Sequence, residues 1–269
     1  MKLKLYIPTC DRYNWLIKPF SYTFNKFWDE NIEVVYLGYT KPDFELPKNF
    51  EFVSLGNNDS LDNWSKDLRN YFNSIDDEWL MMTVDDSMLT STTNVKLYNT
   101  ALDYLLTTDK KVGRFGLERD LVTRQHQYWD THKGLNLVEA KIEASHRISM
   151  RWSIWKKEYL IQHFTDGRTP WTFEEEGTMD SKRDGWGIIS YSKTNPPNPP
   201  DNTVVFNTNA LWRNWYKDYG RFNIMDCAHE DPFKKIDDET IDEMKKLNYF
   251  PQGTEFGSIY NKKWYKVRV

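Results

Sequence analysis

Apolar residues in the first half of the chain alternate between two periods. LKLYIPT, residues 3–9, alternates apolar and polar positions and runs into a proline, which predicts a strand. Residues 11–28 then place Trp15, Leu16, Phe20, Phe24 and Phe27 at helical spacing. IEVVYLGY, residues 32–39, predicts a second strand, and FEFVSLG, residues 50–56, a third after the proline-bearing connection KPDFELPKN. Trp64, Leu68 and Phe72 share one face of a predicted helix over 62–72, with Asn or Asp as its N-cap. DEWLMMTVDDSML, residues 77–89, carries a fourth apolar strand into two adjacent carboxylates, Asp85 and Asp86. A helix over 92–106 and a strand over 111–117 follow. This order predicts an α/β domain with a largely parallel sheet. Such sheets bind ligands beyond the carboxyl ends of their strands, at a topological switch point. Residues 9–12 and Asp85-Asp86 both fall at strand ends, so they are expected to line one crevice.

The pattern changes after about residue 120, where long aromatic-bearing loops are expected. HRISMRWSIWKKEYLIQHF, residues 146–164, reads as a strand followed by a helix. TPWTFEEEG, residues 169–177, reads as an acidic loop, and GWGIISYS as a short apolar run. NPPNPPDN, residues 195–202, is a stiff turn or linker, TVVFNTNALW a strand, and 237–247 a short charged helix. No repeat appears. No clean linker breaks the chain near residue 120, so residues 1–269 are expected to form one domain with an extension.

Composition narrows the partners. The 269 residues carry a net charge of −4, which excludes a generic polyanion binder. Aromatic residues make up 16%, with 12 Trp; most are expected in the core and a minority on a ligand. Cys10 and Cys227 form no disulfide framework and read as free thiols of a reducing compartment. The N-terminal apolar stretch is too short for a signal peptide, and no apolar run of about 18 residues exists. A soluble, cytoplasmic protein without a membrane span is expected.

Five groups of residues carry candidate chemistry, each with a plainer reading beside it. Asp85-Asp86 suits a hard divalent cation bridging to substrate phosphates, or is a solvated strand end. Thr9, Asp11 and Arg12 follow the first strand and suit a nucleotide base and ribose, or Asp11 caps the next helix. The acidic run Glu174-Glu175-Glu176, beside Trp171, suits a general base or a solvated loop. The histidines, His126, His132, His146, His163 and His229, show no paired metal spacing; His229 is read as surface or core ahead of a metal ligand. ALWRNWYKDYGRF, residues 210–222, interleaves Trp212, Arg213 and further basic and aromatic residues. It suits stacking on bases or sugars, or packs with snorkelling cations. No glycine-rich phosphate loop occurs, which disfavours dinucleotide and P-loop enzymes.

Four stretches in order, CDRYNWLIKPFSYTFNKFW, KPDFELPKNFEFVSLG followed by WSKDL, WLMMTVDDSML, and RISMRWSIWKKEYL with TPWTFEEEG, span roughly residues 7–178. Together the sequence resembles GT-A-fold glycosyltransferases of tailed phages and bacterial surface-polysaccharide gene clusters. The resemblance implies a Rossmann-like, mostly parallel central sheet flanked by helices; the last third, which it does not cover, is expected to be an aromatic-rich C-terminal extension. The resemblance implies a nucleotide-sugar donor, with Thr9 and Asp11 near the base and ribose. Residues of about 1–120 are expected to form the donor half, with a UDP-sugar foremost and Arg12, Trp64 and Asp85 also expected on the donor. The resemblance implies Mn²⁺ or Mg²⁺ on Asp85 and Asp86. It implies that Trp171 and Glu174 line the acceptor side, with Glu174 as the foremost base and Glu175 and Glu176 beside it as competitors. Residues of about 121–269 are expected to form the acceptor half, and Trp212 and Arg213, which lie beyond the resemblance, are placed on the acceptor by their basic and aromatic composition alone. The acceptor would be a surface saccharide or a hydroxymethylated base in phage DNA. One base suffices for an inverting displacement, which is the expected course, with retention as the alternative. A phage-encoded protein would act in the host cytoplasm. The acidic motif departs from the family pattern: Asp-Asp-Ser stands where many relatives have Glu-Asp and an aromatic, and the spaced Asp-x-Asp is absent. Two other functions compete. One is a non-catalytic glycan- or nucleotide-binding protein on a degenerate transferase fold. The other is a nucleotidyltransferase, against which the missing phosphate loop counts.

Overall fold

The computed structural model describes residues 2–57, 60–118, 125–192 and 236–250, and the backbone of 227–228, 254–255 and 266–267. The proline-rich turn over 195–202, the strand expected after it, and the stretch carrying Trp212 and Arg213 lie outside the described residues.

One sheet of nine strands organises the described chain, in the order β3-β2-β1-β4-β9-β6-β10-β8-β7. The strands are β1 (Leu5–Pro8), β2 (Val34–Gly38), β3 (Phe50–Ser54), β4 (Trp79–Met82), β6 (Val112–Gly116), β7 (His126–His132), β8 (Leu135–Ala140), β9 (Ser153–Lys156) and β10 (Gly187–Ser192). A short β5 (Met88–Leu89) stands apart and pairs antiparallel with β11 (Cys227–Ala228). The first four strands of the sheet are mutually parallel. In the second half only β9 and β8 run against the rest, so seven of nine strands share a direction.

Helices cover both faces. The first begins as a 3-10 turn (Asp11–Leu16) and continues as α1 (Ile17–Phe27). Then come α2 (Trp64–Asn73), α3 (Val95–Thr107), α4 (Lys157–His163), α5 (Pro170–Asp180) and α6 (Asp238–Lys246). Alternate residues of each strand feed two cores, as a sheet covered on both sides requires. Leu5, Ile7, Tyr36, Met81 and Ile154 pack with α1, α3 and α6. Tyr6, Leu37, Leu80, Met82 and Trp155 pack with α2, α4 and α5. Many of the aromatic rings lie in these cores. Trp152 is wholly buried and stacks on Phe20 and Phe24 at 5.9 and 6.3 Å. Burying a ring of roughly 200 Å² contributes at most about 5 kcal/mol at ~25 cal/mol per Å².

Three local expectations are corrected. Residues 126–140 form a β-hairpin rather than an aromatic loop. Lys133 and Gly134 sit at its tip with φ of 48° and 81°, the left-handed pair that a tight two-residue hairpin turn demands. TPWTFEEEG is the body of α5, not a loop. Thr169 is the N-cap in a reciprocal capping box with Thr172, and Pro170 takes the first helical position. Asp11 caps no helix; its carboxylate is bonded elsewhere.

Topology sets up one special edge. The chain leaves β1 through α1, lays down β2 and β3 on one side, and returns through α2 to place β4 on the other side of β1. The carboxyl ends of β1 and β4 therefore flank a switch point.

Candidate functional site

Two residues at that switch point touch. Thr9, just past β1, donates its hydroxyl to Asp85 Oδ2 at 2.6 Å. Asp85 lies in the turn after β4 and is 7% exposed. Burial pushes its carboxyl up to about 8, and repulsion from Asp86 pushes the same way. The Thr9 hydroxyl and nearby backbone N–H groups oppose both. Tyr36 is buried beside it. Its phenol is raised by burial and then by the Asp85 charge, and its hydroxyl has no hydrogen-bond partner among the described residues. Gly38 closes the other flank: a Cβ there would stand 2.8 Å from Thr9 Cγ2 and 2.8 Å from the Phe52 ring. Half-buried Cys10 has its thiol raised by burial and by Asp85, and Tyr13 feels both Asp85 and Asp86.

The neighbouring loops are tied to each other. Asp11 accepts from Thr40 N and Thr40 Oγ1 at 2.9 and 2.8 Å, and Asn14 Nδ2 donates to Thr40 O at 2.9 Å. The loops after β1 and β2 thus form one wall. Tyr39 extends it by donating to Asp67 of α2 at 3.1 Å. Arg12 is exposed at the rim, with its guanidinium 5.8 Å from the Tyr13 ring centroid. Trp64 is corrected: it is 6% exposed and packs edge-on against Phe164 and Phe173, so its ring belongs to the core under α2 and offers no open face to a donor.

Reversal of β9 brings later residues to the same edge. Ser153 opposes Met82 on one side and Gly116 on the other, so residues 150–152 and 117–118 stand beyond the ends of β4 and β6. The Trp152 indole donates to Ser87 O at 2.8 Å, which fixes this segment against the acidic turn. On α5, Glu174 Oε1 accepts from Met150 N at 2.8 Å. Thr178, one turn on, accepts from Ile148 N at 3.1 Å. Glu175 is exposed, and Glu176 binds Arg168 at 3.0 Å. Trp171 is 67% exposed at the start of the helix.

Two further residues at this edge were not singled out from sequence. Glu118 is 7% exposed at the end of β6, and Arg151 lies 3.5 Å from its carboxylate. The only signal was an acid after an apolar strand in GRFGLE, the same pattern that marks Asp85.

Asp85 and Asp86 fit a hard cation by donor type, since both offer carboxylate oxygens. Among the described residues no group of three or more His, Cys, Asp or Glu could hold a metal. A cation here would take two protein carboxylates, with water or substrate oxygens completing its shell. Among the described residues no helix is long and apolar enough to cross a membrane.

No family model matches the sequence, and no curated protein matches it. Solved structures with a similar fold include a mannosyltransferase from Pyrobaculum calidifontis in complex with GDP-Man and Mn²⁺. It is 15% identical, aligned over 69% of this chain and 53% of its own, with a TM-score of 0.43. Another is S. aureus TarS, 12% identical over 72% of this chain and 36% of its own, with a TM-score of 0.44. This chain therefore spans about half the length of the first and about a third of the second. Likenesses at this level assign no chemistry to the site.

Proposed function

We propose that the chain is a glycosyltransferase that uses a nucleotide-sugar donor at the β1/β4 switch point. One observation carries the reading. A buried carboxylate, Asp85, is held by Thr9 across the ends of two adjacent parallel strands, with a second carboxylate beside it. Two adjacent carboxyls at a ligand-binding strand end ionise together only when a cation faces them; without one, burial leaves Asp85 protonated. Asp85 and Asp86 would hold Mn²⁺ or Mg²⁺, which supplies Lewis-acid stabilisation of charge on the departing diphosphate. Thr9 orients Asp85. The Asp11–Thr40–Asn14 wall shapes the side on which base and ribose would rest, and Arg12 stands at its rim. Residues of about 1–120 would hold the donor, a UDP-sugar first, and the later half the acceptor. Trp171 is open to an acceptor. A single base would give inversion. The acceptor is a saccharide or a hydroxymethylated DNA base. Transfer to a hydroxymethylated oligonucleotide that weakens with salt identifies the second.

The test is thermal melting with a panel of nucleoside diphosphates and sugar nucleotides, with and without Mn²⁺ or Mg²⁺, on wild type and Asp86→Asn. A ligand at 100 times its Kd raises stability by about 2.7 kcal/mol. A nucleotide shift that needs metal and vanishes in Asp86→Asn is the expected result. No shift with any nucleotide would sink the reading. A shift without turnover of any donor would leave a nucleotide-binding protein on this fold.

A further inference from the structure

We infer that Glu118 is the base that takes the acceptor's proton, an assignment that rests on the transferase reading. Three carboxylates of the acidic run on α5 are candidates by sequence, and the structure engages or exposes each. Glu174 has one oxygen committed to the Met150 amide, Glu176 is paired with Arg168, and Glu175 points into solvent. Glu118 also has one oxygen engaged, by Arg151, but its other oxygen, Oε1, is buried and without a hydrogen-bond partner among the described residues. Its carboxylate sits at the carboxyl end of β6, at the same edge as Asp85, and β9 alone separates the two strands. Two strand spacings of ~4.8 Å put the strand ends about 10 Å apart, room for a sugar between the acidic turn and the base.

The residue is held from behind. Ser190 Oγ lies 2.9 Å from Gly116 O and 3.1 Å from Glu118 O, and the Tyr191 hydroxyl donates to Leu117 O at 3.2 Å. Two hydroxyls of β10, Ser190 with its one proton shared between two carbonyls and Tyr191 on the third, thus tie this segment to β10. Arg151 takes one oxygen, Oε2, at 3.5 Å. The other, Oε1, is buried and has no hydrogen-bond partner among the described residues. Packing alone does not call for such a group; an apolar side chain would end this strand without an unmatched acceptor. A hydroxyl donor from a substrate supplies the missing partner.

The step balances without a further reactant. The acceptor O–H gives its proton to Glu118 Oε1, and the oxygen lone pair forms the bond to the anomeric carbon. The bond from that carbon to the donor phosphate oxygen breaks, and its electron pair leaves on the nucleoside diphosphate. With water as acceptor the same step releases free sugar.

Nucleoside diphosphate release from UDP-glucose, UDP-N-acetylglucosamine and GDP-mannose, each with Mn²⁺, tests the assignment on the full chain. The variants are Glu118→Gln, Glu118→Ala and Glu174→Gln, with the melting shift by UDP or GDP and Mn²⁺ as the control for an intact donor site. Glu118→Gln should release diphosphate about 100-fold more slowly or worse while keeping the shift. Formate should restore part of the rate to Glu118→Ala, which a merely structural salt bridge would not allow. A Glu118→Gln rate within threefold of wild type, with the shift retained, overturns the assignment and leaves the donor site standing. Loss of rate in Glu118→Ala without formate rescue, with Glu174→Gln equally slow, also overturns it. Absence of both turnover and shift in wild type removes the transferase reading itself, and the assignment with it.

Discussion

His163, the last residue of α4, is a buried histidine whose replacement should change how stability depends on pH. It is 1% exposed, and its ring meets Tyr159 edge-on at 4.7 Å and Phe173 at 6.5 Å. Neither ring nitrogen has a hydrogen-bond partner among the described residues, and Asp184 Oδ2 lies 4.0 Å from Nε2. Burial depresses the imidazole from 6.5 to about 4; Asp180 opposes this and Arg168 adds to it. The native ring is therefore neutral where the unfolded ring already takes a proton. Stability from this group is fully present above pH 6.5 and is lost as pH falls from there towards 4. The gap between 6.5 and about 4, at ~1.4 kcal/mol per pH unit, sets a full loss of roughly 3–4 kcal/mol. His163→Phe keeps a flat ring against Tyr159 and Phe173 and removes the titration. Urea unfolding at pH 7.5, 6, 5 and 4.5 gives the comparison. The variant should lie within about 1 kcal/mol of wild type at pH 7.5 and exceed it by roughly 2–3 kcal/mol at pH 4.5. Paired carboxylates such as Asp29, Asp103 and Asp237 also lose stability in acid, but they do so in both proteins and cancel in the difference. A difference that stays constant within ~0.5 kcal/mol across that range would refute the assignment of a buried neutral ring.

Asp85 has the opposite sense. Its folded value is raised, so the stability it contributes is fully present below about 4 and is lost as pH rises towards 8. Asp85→Asn should therefore melt higher than metal-free wild type by a margin that grows between pH 5 and 8, while losing any metal-dependent nucleotide shift; equal melts at both pH values would count against a buried charge. Glu174→Ala should lower unfolding free energy by about 1–3 kcal/mol, because Met150 N–H loses its acceptor, whereas Glu174→Gln keeps an oxygen there and should cost less; urea midpoints separate the two. Gly113→Ala would set a methyl 2.3 Å from the Tyr159 ring and should cost about 1–3 kcal/mol or more by the same assay; a neutral effect would mean that the ring has room to withdraw.

Periodicity along the chain determined a good deal of this molecule. The four parallel strands β1 to β4 and the helices between them were legible because each apolar stripe is local: one period of two or 3.6 residues suffices to define it. The placing of Asp85-Asp86 at a strand end was legible for the same reason. The hairpin over 126–140 was also written locally, in Lys-Gly between alternating runs, but the charged and aromatic side chains of an edge strand blurred the alternation. The capping residues Thr169 and Pro170 announced α5, yet its even spread of polar residues left no apolar stripe to read.

Long-range pairing was beyond any local reading. Nothing near Thr9 says that its hydroxyl meets Asp85, 76 residues away, or that Trp64 turns into the core under α2. The role of Glu118 depends on β9 running backwards between β4 and β6, and on two hydroxyls of β10 fastening the strand that carries it. Local sequence sets which residues form a strand or a helix. Which strand ends stand side by side, and which buried oxygens are left unmatched there, is decided only when the whole sheet closes its pairings and two cores form against it.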